Sequence, residues 1–243
     1  MRRPEMILFD YGHTLAYEVG YDTVHGIRAV LEHATRNENN LTAAEVAAMS
    51  DDLFAMFRVR SNLSIEVHNH MINRLLYEYL QIDIALDPYE LERIFWDAFA
   101  PGENMPNIEL LLEYLHQSGI RTAVISNISF SGQTLSDRLN RMLPENHFEF
   151  IIASSEYAVR KPDRLIFELA LRKARLPAEQ VWYCGDRAEP DVEGAAGAGI
   201  FPVWFQHHRP APGMEDAQSR VPACWHLHIR DWLELIDILE GCE

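Results

Sequence analysis

Five short apolar runs, at residues 6–10, 121–126, 148–153, 181–185 and 201–205, are interleaved with stretches whose apolar positions recur at helical spacing. Those stretches lie at 108–117, 133–142, 164–174 and 192–198, and a last amphipathic one lies at 231–239. Apolar strands alternating with helices bury their faces best as a parallel sheet covered on both sides. The expected fold class is therefore α/β, a doubly wound (Rossmann-like) parallel sheet. Ligands of such sheets bind beyond the carboxyl ends of the strands. The first run, Met6-Ile7-Leu8-Phe9-Asp10, ends there in a carboxylate and enters the turn Tyr11-Gly12-His13-Thr14.

Between the first and second runs the pattern changes. Val24, Ile27, Leu31 and Ala34 form one helical stripe, and Val46, Met49, Leu53 and Phe57 a second, opened by Thr42 and Glu45 at capping-box spacing. Ile72, Leu75, Leu76 and Tyr79 make a third. Leu91, Ile94, Phe95 and Ala98 make a fourth, after the helix-start pair Asp87-Pro88. No convincing strand interrupts them. The organisation expected is an α/β core of residues 1–16 and 101–243, with an inserted all-helical cap domain at 17–100.

A chain of 243 residues with 48% hydrophobic and 24% charged residues is long enough to bury a full core. Its 21 basic and 37 acidic residues give a net charge of −16. That balance argues against nucleic acid and anionic membrane as partners, both of which need clustered Lys and Arg. Cys184, Cys224 and Cys242 form neither a CxxC pair nor a disulfide framework. The N-terminal apolar run is too short for a secretory signal, and no stretch approaches a membrane span. A cytoplasmic protein, monomer or homodimer, is expected.

Polar groups stand at four strand ends: Asp10; Ser126-Asn127; Arg160-Lys161-Pro162-Asp163; and Gly185-Asp186, with Asp191 five residues later. Taken singly, each suits a turn or a helix cap. Taken together, Asp10, Asp186 and Asp191 bring three carboxylates to one sheet edge, which is costly without a cation. Hard oxygen ligands favour Mg²⁺, which commonly also binds a substrate phosphate. Ser126 and Lys161, one of only two lysines in the chain, supply a hydroxyl and a fixed charge for phosphoryl oxygens. A carboxylate nucleophile at Asp10 completes a site for phosphoryl transfer.

These segments resemble the four motifs of the haloacid dehalogenase (HAD) superfamily, in order and over nearly the whole chain. Phe9-Asp10-Tyr11-Gly12-His13-Thr14-Leu15 resembles the first, Val124-Ile125-Ser126-Asn127 the second, Arg160-Lys161-Pro162-Asp163 the third, and Cys184-Gly185-Asp186 with Asp191 the fourth. Glu193-Gly194-Ala195-Ala196-Gly197-Ala198-Gly199 resembles the small-residue helix after the fourth motif. The resemblance implies a Mg²⁺-dependent hydrolase acting on a small phosphorylated molecule through an aspartyl-phosphate on Asp10. It implies Ser126 and Lys161 as catalytic residues, Thr14 and Asn127 as phosphate-binding residues, and Asp10, the Gly12 carbonyl, Asp186 and Asp191 as metal ligands.

One position departs from the family. Its phosphatases carry a second Asp two residues after the nucleophile, as the general acid and base; here that residue is Gly12. His13, adjacent and of suitable ordinary pKa, is the nearest substitute. Two other readings stay open: a phosphate-binding regulatory protein with little turnover, and, less favoured because the metal pattern is retained, a 2-haloacid dehalogenase. A Schiff-base mechanism like that of phosphonoacetaldehyde hydrolases is excluded, since residues 17–100 contain no lysine.

The remaining features read as structural. His68 and His70, two apart on a helix, point to different faces and make no metal site. His207-His208 reads as surface, and Phe54, Phe57, Phe95, Trp96 and Phe99 as the core of the cap. Arg28, Arg58 and Arg60 read mainly as solvated helix charges, and Asp22 and His25 as residues that could face a substrate.

Overall fold

The computed structural model describes residues 1–57, 63–207 and 220–242. Arg58, Arg60 and His208 lie outside them. Six parallel strands form one sheet, in the order β10 (Leu227–Ile229), β9 (Phe201–Phe205), β8 (Val181–Gly185), β1 (Met6–Phe9), β6 (Arg121–Ser126), β7 (Phe148–Ala153). β1 is central because all four of its side chains are apolar, and all are buried. Alternation then divides them between the two faces of the sheet. Ile7 and Phe9 pack with α5 (Ile108–Gln117), α6 (Gly132–Met142) and α9 (Trp232–Glu240) through Leu111, Leu115, Leu135, Leu139, Trp232 and Leu235. Met6 and Leu8 pack with α7 (Arg164–Ala174) and the short α8 (Gly194–Gly197) through Ile166, Phe167, Ala170 and Ala195.

The register aligns the ends of the central strands. Phe9 pairs with Val124 on one side and Cys184 on the other. The next residues of the three strands, Asp10, Ile125-Ser126 and Gly185-Asp186, therefore emerge together at the carboxyl edge.

Among the described residues, 17–100 hold four α-helices: α1 (Thr23–Leu31), α2 (Ala43–Met56), α3 (Asn69–Leu80) and α4 (Pro88–Phe99). They bury Ile27, Val30, Val46, Leu53, Ile72, Leu76, Leu91 and Phe95 in a cluster of their own. Thr42 and Glu45 close the capping box on α2. Asp87 accepts from the Tyr89 and Glu90 amides at the start of α4. Gly26 is required on α1, because a Cβ there would lie 2.8 Å from the Phe95 ring.

Several elements differ from expectation. Residues 17–100 are not wholly helical: β3 (Ala34–Asn37) pairs antiparallel with β4 (Ile82–Ile84). Ala34, placed by its spacing on the first helical stripe, sits on β3 instead, since α1 ends at Leu31. β3 has two exposed polar residues at its centre and no apolar alternation, so its strand character comes only from its partner. A second ribbon pairs β2 (Ala16–Glu18) with β5 (Gly102–Asn104) where the chain leaves and rejoins the sheet. The edge strand β10, three residues long, is too short to stand out as a sequence pattern. The helix expected at 192–198 begins as a π-helical turn, Ala188–Glu193. His207 is half-buried against Phe205 rather than at the surface. All three cysteines are free. Among the described residues, no helix is long and apolar enough to cross a membrane.

Candidate active site

A cavity of about 320 Å³ opens over the carboxyl ends of β1, β6 and β8. It is lined by Asp10, Gly12, His13, Ser126, Asn127, Lys161, Asp186 and Asp191, which the sequence places at four separate strand ends. Lys161 is the hub. Its Nζ donates to Asp10 Oδ1 at 2.7 Å, to Asp191 Oδ1 at 2.6 Å and to the Tyr183 hydroxyl at 2.6 Å. Tyr183 in turn donates to Asp191 Oδ1 at 3.0 Å. Asp191 is brought in by the π-helical turn, and its Oδ2 accepts the Arg187 amide at 3.0 Å. Gly185 permits this approach, since a Cβ there would lie 2.5 Å from the Asp191 side chain.

The three carboxylates are buried and offer oxygens within 4.8 Å of one another. Burial raises Asp10 to about 6; Lys161 opposes the shift and Asp191 adds to it. Burial, then Asp191 and Asp10, push Asp186 well above the ordinary carboxylate range. Burial alone would lower Lys161, but Asp10 and Asp191 outweigh it and hold the ammonium above its usual value. Three buried carboxylates thus share one buried ammonium, and without a metal cation beside them Asp10 and Asp186 hold their protons more tightly than usual. Asp186 Oδ2 is, in addition, buried with no hydrogen-bond partner. An all-oxygen donor set with an orphaned carboxylate oxygen fits a hard divalent cation.

Residues 5–199 match the family model of the haloacid dehalogenase-like hydrolases. The chain belongs to that family. This HAD-like hydrolase is 28% identical over 162 residues to pyrimidine 5'-nucleotidase YjjG of Escherichia coli (strain K12), covering 63% of this chain and 71% of that protein. It is 24% identical over 226 residues to ribulose-1,5-bisphosphate 5-phosphatase of Halopiger xanaduensis, covering 92% and 87%. Its fold matches the crystal structure of a HAD phosphatase from Thermococcus onnurineus with a TM-score of 0.62 at 18% identity, over 100% and 99% of the two chains.

Two residues of the HAD-like site sit otherwise than the motif resemblance implies. Thr14 does not line the cavity; it is fully buried and its hydroxyl has no hydrogen-bond partner. Asn127 does line it, but both ends of its amide hold the Lys161 backbone: Oδ1 accepts from Lys161 N and Nδ2 donates to Lys161 O, each at 2.8 Å. His13 reaches the cavity from a left-handed backbone (φ 55). Burial, and then the Arg187 guanidinium, lower its imidazole below the ordinary range. Asp22, His25 and Arg28 do not line the cavity; Asp22 instead caps α1 by accepting the His25 amide at 2.8 Å.

The HAD-like cavity also has a wall that sequence reasoning missed. Trp96 and Phe99, expected only as core, line it beside Tyr21 and Phe130. Trp96 stacks on Phe130 at 4.1 Å between ring centroids, and Arg138 lies 4.5 Å from the Trp96 ring centre. Glu18 lines the cavity as well, accepting from Tyr11 at 3.2 Å and Tyr21 at 3.3 Å, and burial raises its carboxyl above the ordinary range. Arg160 and Arg187 add two guanidinium groups. The only signal for Glu18 was its position on the segment leaving the first motif. Tyr183 was hidden as one more large residue in an apolar strand.

Proposed function

We propose that this protein is a Mg²⁺-dependent phosphatase that hydrolyses a small phosphate monoester through an aspartyl-phosphate on Asp10. The observation that carries this reading is the convergence of Asp10, Asp186 and Asp191 on one cavity with the Lys161 ammonium among them. Asp10, Asp186 and Asp191, with the Gly12 carbonyl, would hold the cation. When bound, the cation neutralises the carboxylates and polarises the phosphoryl group.

Asp10, as the carboxylate, attacks phosphorus and displaces the alcohol. Lys161 and Ser126 stabilise the phosphoryl oxygens as charge builds on them. The departing alkoxide needs a proton, and no carboxyl at position 12 supplies it. Glu18, raised by burial and lining the same cavity, is the proton donor in this reading. His13, whose imidazole burial and then Arg187 lower below the ordinary range, suits the second half of the reaction, where a base takes a proton from the water that cleaves the acyl-phosphate. The aromatic wall of Tyr21, Trp96, Phe99 and Phe130 suits an ester whose alcohol part is flat or apolar. Residues 17–100 form the module that closes over the substrate and excludes water.

The test is phosphate release from a panel of monoesters, including nucleoside and sugar phosphates, by the full chain with Mg²⁺. Turnover that disappears in Asp10→Asn is expected. A chain that binds phosphate with Mg²⁺ but turns over nothing in the panel supports the regulatory reading instead.

A further inference from the structure

A second set of ligand-type side chains converges away from the catalytic cavity, where α3 and α4 meet the start of α6. His68 is not on the α3 helix but is its N-cap, and its Nδ1 accepts the His70 amide at 3.1 Å. That bond folds His68 back, so the two imidazole rings lie 4.5 Å apart instead of on different faces. Glu92, on α4 and fully buried, lies against them, with His70 Nε2 3.4 Å from its Oε2. One donor atom from each of the three residues can be chosen so that all lie within 4.8 Å.

Helix capping explains only half of the Glu92 carboxylate. Its Oε2 accepts the Ser131 amide at 3.0 Å, the Thr134 hydroxyl at 2.7 Å and the Ser131 hydroxyl, all at the first turn of α6. Its Oε1 is buried with no hydrogen-bond partner, and so is His70 Nε2. Burial of a polar atom without a partner is unfavourable, and two such atoms in one cluster mark a place where something is bound. The N-terminus of α6 carries roughly half a positive charge. Glu92 and Glu156, whose Oε1 accepts the Gly132 amide at 2.8 Å, more than offset it.

We propose that His68, His70 and Glu92 form a second metal site, for a divalent transition-metal ion of the zinc class. Two imidazoles and a carboxylate are zinc-type ligands, unlike the all-oxygen set of the catalytic cavity. Glu92 ligates through Oε1, the oxygen left without a partner, so that its Oε2 keeps the bonds to Ser131 and Thr134. His68 ligates through Nδ1, exchanging the His70 amide for the metal. Its Nε2–H then points toward Glu156, whose Oε1 lies 3.7 Å away. A carboxylate behind a ligating imidazole fixes its tautomer and strengthens it as a ligand. The ion would clasp α3 and α4 against the connection between β6 and α6, whose residues Asn127, Ile128 and Phe130 line the catalytic cavity.

The experiment uses the full chain, stripped with chelator and then held in excess Mg²⁺ so that the all-oxygen site is occupied. Titration with Zn²⁺, and with Co²⁺ for its visible absorption, is expected to show one further equivalent in tetrahedral nitrogen–oxygen coordination and a rise in Tm. Loss of one ligand in His70→Ala should weaken binding by roughly a hundredfold or more. Asp186→Asn should bind the ion as before, which separates this site from the catalytic one whether or not the protein proves to be a phosphatase. If His70→Ala does not fold, His68→Ala, altered in a partly exposed side chain, gives the same readout. Absence of Zn²⁺ uptake by the wild-type chain overturns the proposal. So does uptake unchanged in the His variants.

Discussion

Asn127 and Lys161 are joined by a closed pair of hydrogen bonds, in which one side-chain amide meets both the N–H and the C=O of the lysine, each at 2.8 Å. The pair links the end of β6 to the loop before α7 and so fixes the backbone from which the Lys161 ammonium reaches Asp10. Asn127→Ala removes both bonds at a part-buried position, for an expected loss of about 1–3 kcal/mol of stability. It should also lower kcat/KM by roughly tenfold to a hundredfold, because a displaced ammonium no longer meets the phosphoryl oxygens. Thermal melts and steady-state kinetics check this. An Asn127→Ala chain with wild-type Tm and kinetics would show that the pair does not position the lysine.

Gly12 has room for the missing carboxylate. A Cβ built there meets no atom within 4 Å, and its backbone is not in the left-handed region. Gly12→Asp is therefore expected to fold and to raise kcat toward the gain of about 10²–10⁴-fold typical of a positioned acid–base group. Kinetics on a sugar phosphate with Mg²⁺ measure this directly. A well-folded Gly12→Asp chain with no gain would mean that a carboxyl at position 12 cannot serve this site.

Burial of Asp10 has a consequence for stability. Its carboxyl titrates at about 6 in the folded, metal-free chain, against an ordinary value of 3.8. Between those values the folded state binds more protons than the unfolded one, so stability falls as pH rises through the window and is flat above it. Asp186 is raised as well and acts in the same direction. In chelator, Tm should be higher at about pH 5 than at about pH 8, and Mg²⁺ should recover the difference at the higher pH. Asp10→Asn should flatten part of the profile. Melts that show Tm rising from about pH 5 to about pH 8 in chelator would contradict this account.

The sheet and its carboxyl edge were legible because their signals are local and repeated. Runs such as 181–185 are apolar throughout, and the polar residue that ends each one marks the edge of the sheet. The β3/β4 ribbon was not legible, because its strands are short and the pairing joins residues far apart in sequence. Asn127 shows a different limit: its type and place were evident, but not that its amide serves the lysine backbone. His68 shows how a sound rule can be misapplied. Residues two apart do face different ways on a helix, but an N-cap is not yet helical, and only the capping bond reveals that.

Gly185 and Asp191 are in closer contact than a side chain at 185 would allow, since an added Cβ would lie 2.5 Å from Asp191. Gly185→Ala should push Asp191 out of the carboxylate cluster while leaving most of β8 in place. The expected result is loss of Mg²⁺-dependent stabilisation and of turnover, with the chain still folded by circular dichroism. Retention of a normal Mg²⁺ response would mean that Asp191 is not required to hold the cation.

Glu18 and His13 line the same cavity as Gly12, and leaving-group chemistry distinguishes them. An alkyl phosphate such as a sugar phosphate needs its leaving oxygen protonated, whereas p-nitrophenolate departs as a stable anion. Removal of a proton donor therefore slows the first substrate far more than the second. Glu18→Gln keeps the size of the side chain and removes the titrating proton. It should lower kcat for the sugar phosphate by tenfold or more, with little change for p-nitrophenyl phosphate, in line with the lower end of general-acid effects of about 10²-fold. His13→Ala should slow both substrates together, as loss of a base acting on the shared acyl-phosphate would. If the leaving-group dependence tracks His13 instead, the imidazolium form of His13 rather than the Glu18 carboxyl is the group that protonates the departing alkoxide.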